Sequence, residues 1–264
     1  MIKYILCPLC VLLLSLPLSA QEITPVEAMN KASHQRMLTQ KMFNCYIKQG
    51  MGTEAALSRE EMELSVAAFE EDMIELMDFA PNEEVVTAIE KAQNAWRIYS
   101  LKVLSYPNKI MGSVVFDWSG KIMREYDDLV QLMAQQIGTE PAKLVSLTGR
   151  QQMLAQRVQM LHLSQKWGLS QKKINKERAL VNEDFRSTLK TLSAAEVNLP
   201  SMVESLNQIS QDWEFIQAKF DQKTMASTIV LTTENMQQRL GEIMDMYFEL
   251  SKIAPAKTEA ASKE

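Results

Sequence analysis

The stretch Ser33-His34-Gln35-Arg36-Met37-Leu38-Thr39-Gln40-Lys41-Met42 returns as Gly149-Arg150-Gln151-Gln152-Met153-Leu154-Ala155-Gln156-Arg157-Val158. Gln, Met, Leu and Gln recur unchanged at an offset of 116, and the last basic residue recurs as Lys or Arg. The register holds downstream: Gly52 matches Gly168, Phe69 matches Phe185, Met73 matches Leu189 and Leu76 matches Leu192. It shifts by one at Trp96 and Trp213 and by a residue the other way at Arg124 and Arg239, the drift that small loop insertions produce. Self-similarity at a fixed period is the mark of a repeated structural unit. It divides the chain into a first unit, residues 21–138, and a second, residues 139–253.

Each unit reads as four helices. The breaks are Gly50/Gly52, Pro81-Asn82 and Pro107-Asn108 in the first, then Gly168, Pro200 and the region of Asp221 in the second. Pro141 sits where a proline opens a helix. Apolar residues alternate in steps of four and three. In the last helix they are Ile229, Thr233, Met236, Leu240, Ile243, Tyr247 and Leu250, and in the second Met62, Val66, Phe69, Met73 and Leu76. Such stripes pack as antiparallel bundles. The expected fold is therefore all-α, two tandem elongated four-helix bundles with helices of about 25 residues, or about 38 Å. Trp96 and Trp213 are expected as core anchors. The 18 methionines read as core filling rather than a cofactor site.

Composition agrees. Among 264 residues there are 8 Gly and 8 Pro, 46% are hydrophobic and 7% aromatic, which excludes all-β, collagen-like and disordered chains. The formal charge is −5, and it becomes −6 if Lys3 is lost with a leader. That balance disfavours nucleic acid and anionic lipid as partners.

The N-terminus has the order of a secretory signal: Lys3, an apolar run from Ile5 to Leu18, and the small end Ser19-Ala20. The run is too short to span a bilayer, which takes about 20 residues. Residues 1–20 are expected to be a cleaved signal peptide and the product periplasmic, with no membrane span left. Cys7 and Cys10 form a CxxC pair inside the apolar run, a poor place for a redox site, and bulky Leu9 argues against a lipoprotein signal. Cys45 alone then remains, so no internal disulfide forms. The small, charged tail at 254–264 is expected to be disordered.

The first helix has two occupied faces. Leu38, Met42 and Cys45, edged by His34 and Gln35, point to its own core. Opposite them lie Met29, Ser33, Arg36, Gln40, Phe43 and Ile47, where an ordinary bundle helix shows charges. The matching face of the fifth helix carries Val145, Gly149, Gln152, Gln156, Gln159 and Leu163. A second semi-apolar face needs a second partner, and the economical one is the equivalent helix of the other unit. Ser33 and Gly149 would let the two helices approach. Arg36 would then face Gln40, Gln152 and Gln156 with no carboxylate on that face, a forked donor set suited to a planar oxyanion. The candidate ligand-binding residues are Arg36, Gln40, Ser33, Gln152, Gln156 and Gly149. The plainer alternatives are that Arg36 reaches water or pairs with a carboxylate from another helix. Lys41 and Arg157 are expected on a solvated face, and His34 and His162 as boundary residues.

Residues Ala32 to Met42 and Thr148 to Val158 resemble the motif of the NarX-like N-terminal sensor family. It includes the ligand-sensing domain of nitrate/nitrite sensor kinases and the periplasmic domain of PilJ-type chemotaxis transducers of type IV pili. The typical run is close to Ala-Gly-Arg-Gln-Arg-Met-Leu-Ser-Gln-Arg-Met. The resemblance covers essentially the whole chain after the leader, and it implies an all-helical periplasmic sensor module. In the nitrate sensors the central Arg binds the anion at a dimer interface. Here that position is Arg36, and Gln152 in the second unit. Sensors of this family normally continue into a signalling domain. None follows here, so the implied output is a separate partner, a membrane-bound receptor or another envelope protein.

Three function classes follow. The leading one is a periplasmic binding or sensing module taking a small anion such as nitrate or nitrite. The alternative is a ligand-free envelope scaffold or an accessory to a receptor or pilus. An enzyme is not expected, because HExxH, Walker, GxSxG, ExxH and zinc-cysteine patterns are missing. Nor is a metal or cofactor expected: CxxCH is absent, and two His leave little for a metal site.

Overall fold

The computed structural model describes residues 23–253. The expected signal at 1–20 and the tail at 254–264 lie outside the described residues. Eight α-helices follow in order: α1 (Pro25–Met51), α2 (Ala55–Phe79), α3 (Glu83–Val103), α4 (Lys109–Ile137), α5 (Glu140–Trp167), α6 (Gln171–Ser193), α7 (Pro200–Lys219) and α8 (Ala226–Ile253). Among the described residues there are no strands, and no helix is long and apolar enough to cross a membrane.

Caps set most of the boundaries. Thr24 and Glu27 close a capping box at the start of α1. Asn82, Asn108 and Thr139 each accept a backbone N–H three residues on, opening α3, α4 and α5. Gly52 and Gly168 end α1 and α5 at φ of 69° and 87°, a left-handed turn that a residue with a Cβ resists. Gly50 is not a break: it stays inside α1, for a packing reason given in the Discussion.

The core forms one continuous cluster. α1 packs on α2, α4 and α5, whereas α5 packs on α6, α8 and α1. α2 runs antiparallel to α1, and α6 to α5. Gln35 donates to the Phe69 carbonyl at 2.9 Å, and Gln151 donates to the Phe185 carbonyl at 2.8 Å. Phe69 stacks on Trp96 with centroids 3.9 Å apart, and Phe185 on Trp213 at 3.7 Å. Both tryptophans are core residues. The expected stripe of α8 is buried from Ile229 to Tyr247, with Leu250 half-buried.

His162, in α5, is buried with Nδ1 2.8 Å from the Phe220 carbonyl oxygen, not at a boundary. Burial pushes its pKa below the ordinary value, more than the Phe220 hydrogen bond raises it. Folding therefore favours the neutral ring. The stability it lends is complete above the unfolded value of about 6.5 and is lost as pH falls from there through the lowered folded value. Thermal melts between pH 7 and 5 should show the melting temperature dropping. His162→Gln, which keeps a donor for Phe220, should flatten that part of the profile.

Candidate ligand site where α1 meets α5

α1 and α5 lie side by side in parallel, since Ser33 meets Gly149, Asn44 meets Gln156 and Gly50 meets Trp167. The second face of α1 is buried throughout: Met29, Ser33, Arg36, Gln40, Phe43 and Ile47. On α5, Val145, Gly149, Gln156, Gln159 and Leu163 are buried and Gln152 is half-buried. A Cβ on Gly149 would lie 2.9 Å from Ser33 Cβ and 3.1 Å from its Oγ, closer than real side chains sit. Glycine at 149 is what lets the two backbones come together.

Arg36 is 1% exposed. Its Nη1 donates to Asp127 Oδ1 of α4, so the carboxylate-free surroundings expected from the helix wheels do not occur. A wheel of α1 and α5 cannot show what α4 brings. Asp127 is shared: Arg150 Nη1 reaches both its oxygens at 2.6 Å, and Arg150 Nε reaches the two oxygens of Asp184 at 2.9 and 3.0 Å. The result is a chain Arg36–Asp127–Arg150–Asp184 with two charges of each sign. Burial raises the Asp127 carboxyl, but Arg36 and Arg150 outweigh it and hold the group below the usual carboxylate range. Among the described residues Arg36 Nε and Nη2 have no hydrogen-bond partner, and neither does Ser33 Oγ one turn earlier on the same face.

The remaining expected residues are placed differently from one another. Gln40 Oε1 accepts from Arg157 Nη1 at 2.8 Å, and Gln40 Nε2 donates to Thr39 Oγ1 at 3.0 Å. Gln156 Oε1 accepts from Asn44 Nδ2 at 3.0 Å. Gln152 turns toward α8, its Nε2 3.8 Å from where a Cβ on Gly241 would be. The structure thus brings Ser33 and Gly149 together, and separately Arg36 with Asp127, Gln40 with Arg157 and Gln156 with Asn44.

Arg157 departs from the expectation of a solvated residue. It is 2% exposed, donating to Gln40, to Ser119 and, at 2.6 Å, to Glu177. The small residues Ser119 and Gly120 of α4 make the room. Lys41, its counterpart in the first motif, is half-buried. His34 is exposed and sits 2.7 Å from Asp72.

Beside this network, on the side of α2 and α8, is a polar cavity of about 170 Å³. Asn44, Cys45, Gln156 and Gln159 line it, with Lys41, Lys48, Glu61, Glu234 and Gln237 around them. Sequence reading passed over Asn44 and Glu61, whose residue types carry no signal outside the assembled helices. The Cys45 thiol lies 3.7 Å from Glu61, and burial, then Glu61, push its pKa up to about 12, so it is not a nucleophile near neutral pH. A larger, mostly apolar cavity of about 630 Å³ sits at the other end, between Val26, Phe79, Val85, Met133 and Phe248. It holds none of the ionic groups described above. Among the described residues no group of three or more His, Cys, Asp or Glu is placed to hold a metal ion.

No protein-family model matches the chain, and no curated protein or solved structure matches it.

Proposed function

We propose that the chain is a ligand-binding and sensing module, made of two tandem four-helix units. It takes a small oxyanion such as nitrate or nitrite between α1 and α5 and passes the bound state to a separate envelope partner. The observation that carries this reading is Arg36. Among the described residues a guanidinium 1% exposed keeps Nε and Nη2 without partners, and unmet buried donors are costly. Those two N–H groups form one edge of the fork, the geometry that a planar oxyanion bridges. Ser33 Oγ supplies a third donor on the same face.

The charge count selects the anion. Arg36 and Arg150 are already balanced by Asp127 and Asp184, so a monoanion adds one uncompensated charge and a dianion two. Nitrate and nitrite are therefore favoured over sulfate and phosphate. Entry to a residue this buried requires α1 and α5 to part, and that motion is the signal available to a partner. Support for the two-unit reading comes from the matched Gln–carbonyl bonds, stacked Phe–Trp pairs and glycine caps, all 116 or 117 residues apart. The likeness to NarX-like and PilJ-type sensors, and the periplasmic location the leader suggests, point the same way.

Thermal melts with nitrate, nitrite, sulfate and phosphate test this. A ligand at 100 times its dissociation constant adds about 2.7 kcal/mol, or about 5–10 °C for a chain this size. We expect that rise for nitrate or nitrite and its loss in Arg36→Met. The reading fails if no anion shifts the melt.

A second reading is a ligand-free scaffold or accessory protein of a receptor or pilus system. It is favoured by the α3–α4 corner, where Leu101, Leu104, Tyr106 and Ile110 are all exposed, the last two by 87% and 84%. Clustered exposed apolar side chains mark docking surfaces.

A further inference from the structure

The chain is acidic overall, but the fold sorts its charges by end. The loops after α1, α3, α5 and α7 lie at one end: Tyr46 donates to the Tyr106 carbonyl, Trp167 meets Gly50 and Gly112, and Gln165 reaches Asp221. From Arg97 to Phe116 the chain carries Arg97, Lys102 and Lys109 and no acidic residue. From Leu161 to Lys176 it carries Lys166, Lys172, Lys173 and Lys176 and again none. The two runs are neighbours. Lys109 Nζ is 3.5 Å from where a Cβ on Gly168 would be, and Lys173 of α6 pairs with Asp117 of α4 at 2.7 Å. The carboxylates beside them, Asp117, Glu177 and Asp221, are held by Lys173, Arg157 and Arg178. Lys109, Lys166, Lys172 and Lys176 are exposed and have no ion-pair partner among the described residues. Glu83, Glu84, Glu140, Glu204 and Glu249 are exposed at the opposite end.

A net charge of −5 speaks against anionic lipid only where it is evenly spread. Here helices of about 25 residues hold the acidic end about 38 Å away. That is several screening lengths of about 8 Å at physiological salt, so the acidic end does not cancel the basic one.

The basic end is also the apolar corner. Leu101, Leu104, Tyr106 and Ile110 are each more exposed than buried, and Lys102 lies among them over the Trp118 ring. Side chains that stand out this far line no groove, and the cleft beside them, at Phe116 and Leu169, holds only about 10 Å³. A protein partner would need a pocket shaped to such tips, whereas fluid lipid takes them without one. Apolar and aromatic tips collared by lysines suit the headgroup layer: the tips enter the acyl boundary and the ammoniums stay at the phosphates. Among the described residues no helix can cross a bilayer, so the contact is peripheral.

We infer that the α3–α4 and α5–α6 corners form a docking end for the surface of a bilayer with anionic headgroups. The inference is independent of the oxyanion reading, because Arg36 and its network take no part in it.

Vesicle co-sedimentation tests it, with the chain from Gln21 onward because the apolar run at 5–18 would itself enter lipid. The vesicles are phosphatidylcholine alone or in equal parts with phosphatidylglycerol. Two paired variants are compared with the parent: Tyr106→Ser with Ile110→Ser, and Lys109→Gln with Lys172→Gln. All four side chains are exposed, so both variants should melt with the parent. The parent should bind the anionic vesicles and hardly bind phosphatidylcholine. Losing two lysines should weaken binding about 25-fold, at about fivefold each. Losing the two apolar tips should weaken it by about tenfold or more. The inference is overturned if the parent ignores anionic vesicles or binds both kinds alike. It is also overturned if the serine variant binds like the parent, or if polyglutamate is bound as tightly as the vesicles, since either would mean attraction to any polyanion. A parent that sediments as a dimer, made monomeric by the serine pair, would assign the corner to a second copy and overturn it too. The nitrate and nitrite melts use none of these residues, so either reading can fail alone.

Discussion

Asp127→Ala should destabilise the chain by about 3–5 kcal/mol, the usual cost of removing one partner of a buried charge pair. Asp127 is the shared anion of two arginines, and Arg36 has no other acceptor among its hydrogen bonds in the described residues. Without Asp127, a guanidinium 1% exposed is left with none of its donors met. Arg36→Met should cost less, because Asp127 then still has Arg150 and the new side chain is apolar. Urea titrations of the two variants check the order. Equal losses would mean that a stranded Arg36 guanidinium adds no penalty beyond loss of the Arg36–Asp127 pair. The pH sign follows from the lowered Asp127 pKa. Its contribution is present above the unfolded carboxylate value of about 3.9 and is lost as pH falls through the lower folded value. Asp127→Ala should therefore melt with a weaker acid dependence than the parent.

Trp167→Ala should cost a similar amount, about 3–5 kcal/mol, through the cavity it leaves. The Trp167 ring sits at the end of α5 between Gly50 of α1 and Gly112 of α4, and meets Tyr46 edge-on with centroids 5.9 Å apart. A Cβ on Gly50 would overlap ring atoms Cζ2 and Cε2, so the glycine in α1 is a slot for the indole. Gly50→Ala should lose about 1–3 kcal/mol by overpacking. In a Trp167→Leu background the alanine should lose less, because the overlap is gone and contacting sites are not additive. Denaturant midpoints of the four-member cycle measure this. Additive losses would contradict the slot.

The helices were readable because their ends carry local chemistry. Asn82, Asn108, Pro141, Gly168 and Pro200 act within a turn of themselves, and each lies at a helix end in the structure. The double face of α1 was readable because periodicity is also local. What escaped depends on a third element. Asp127 reaches Arg36 from α4, and Arg157 is buried because Ser119 and Gly120 leave space for it. A wheel of one helix holds no trace of either. Gly50 shows the same limit: its sequence suggests a break, and only the indole of Trp167 explains why a glycine stands inside the helix. The pair Ser119-Gly120, small and adjacent on a helix interior, was the one available hint that something large lies against α4.

The oxyanion account turns on one edge of one guanidinium. The most direct measurement is the Nε–H resonance of Arg36 in ¹H–¹⁵N spectra, assigned by its loss in Arg36→Met and followed while nitrate and then nitrite are added. A proton with no partner that gains an oxyanion acceptor should move along a saturating curve with one of them. The same additions should leave the Arg150 Nε–H in place, since Asp184 already holds it. An Arg36 signal that stays fixed to high concentrations of both anions would contradict the account and leave Arg36 as a structural clamp between α1 and α4.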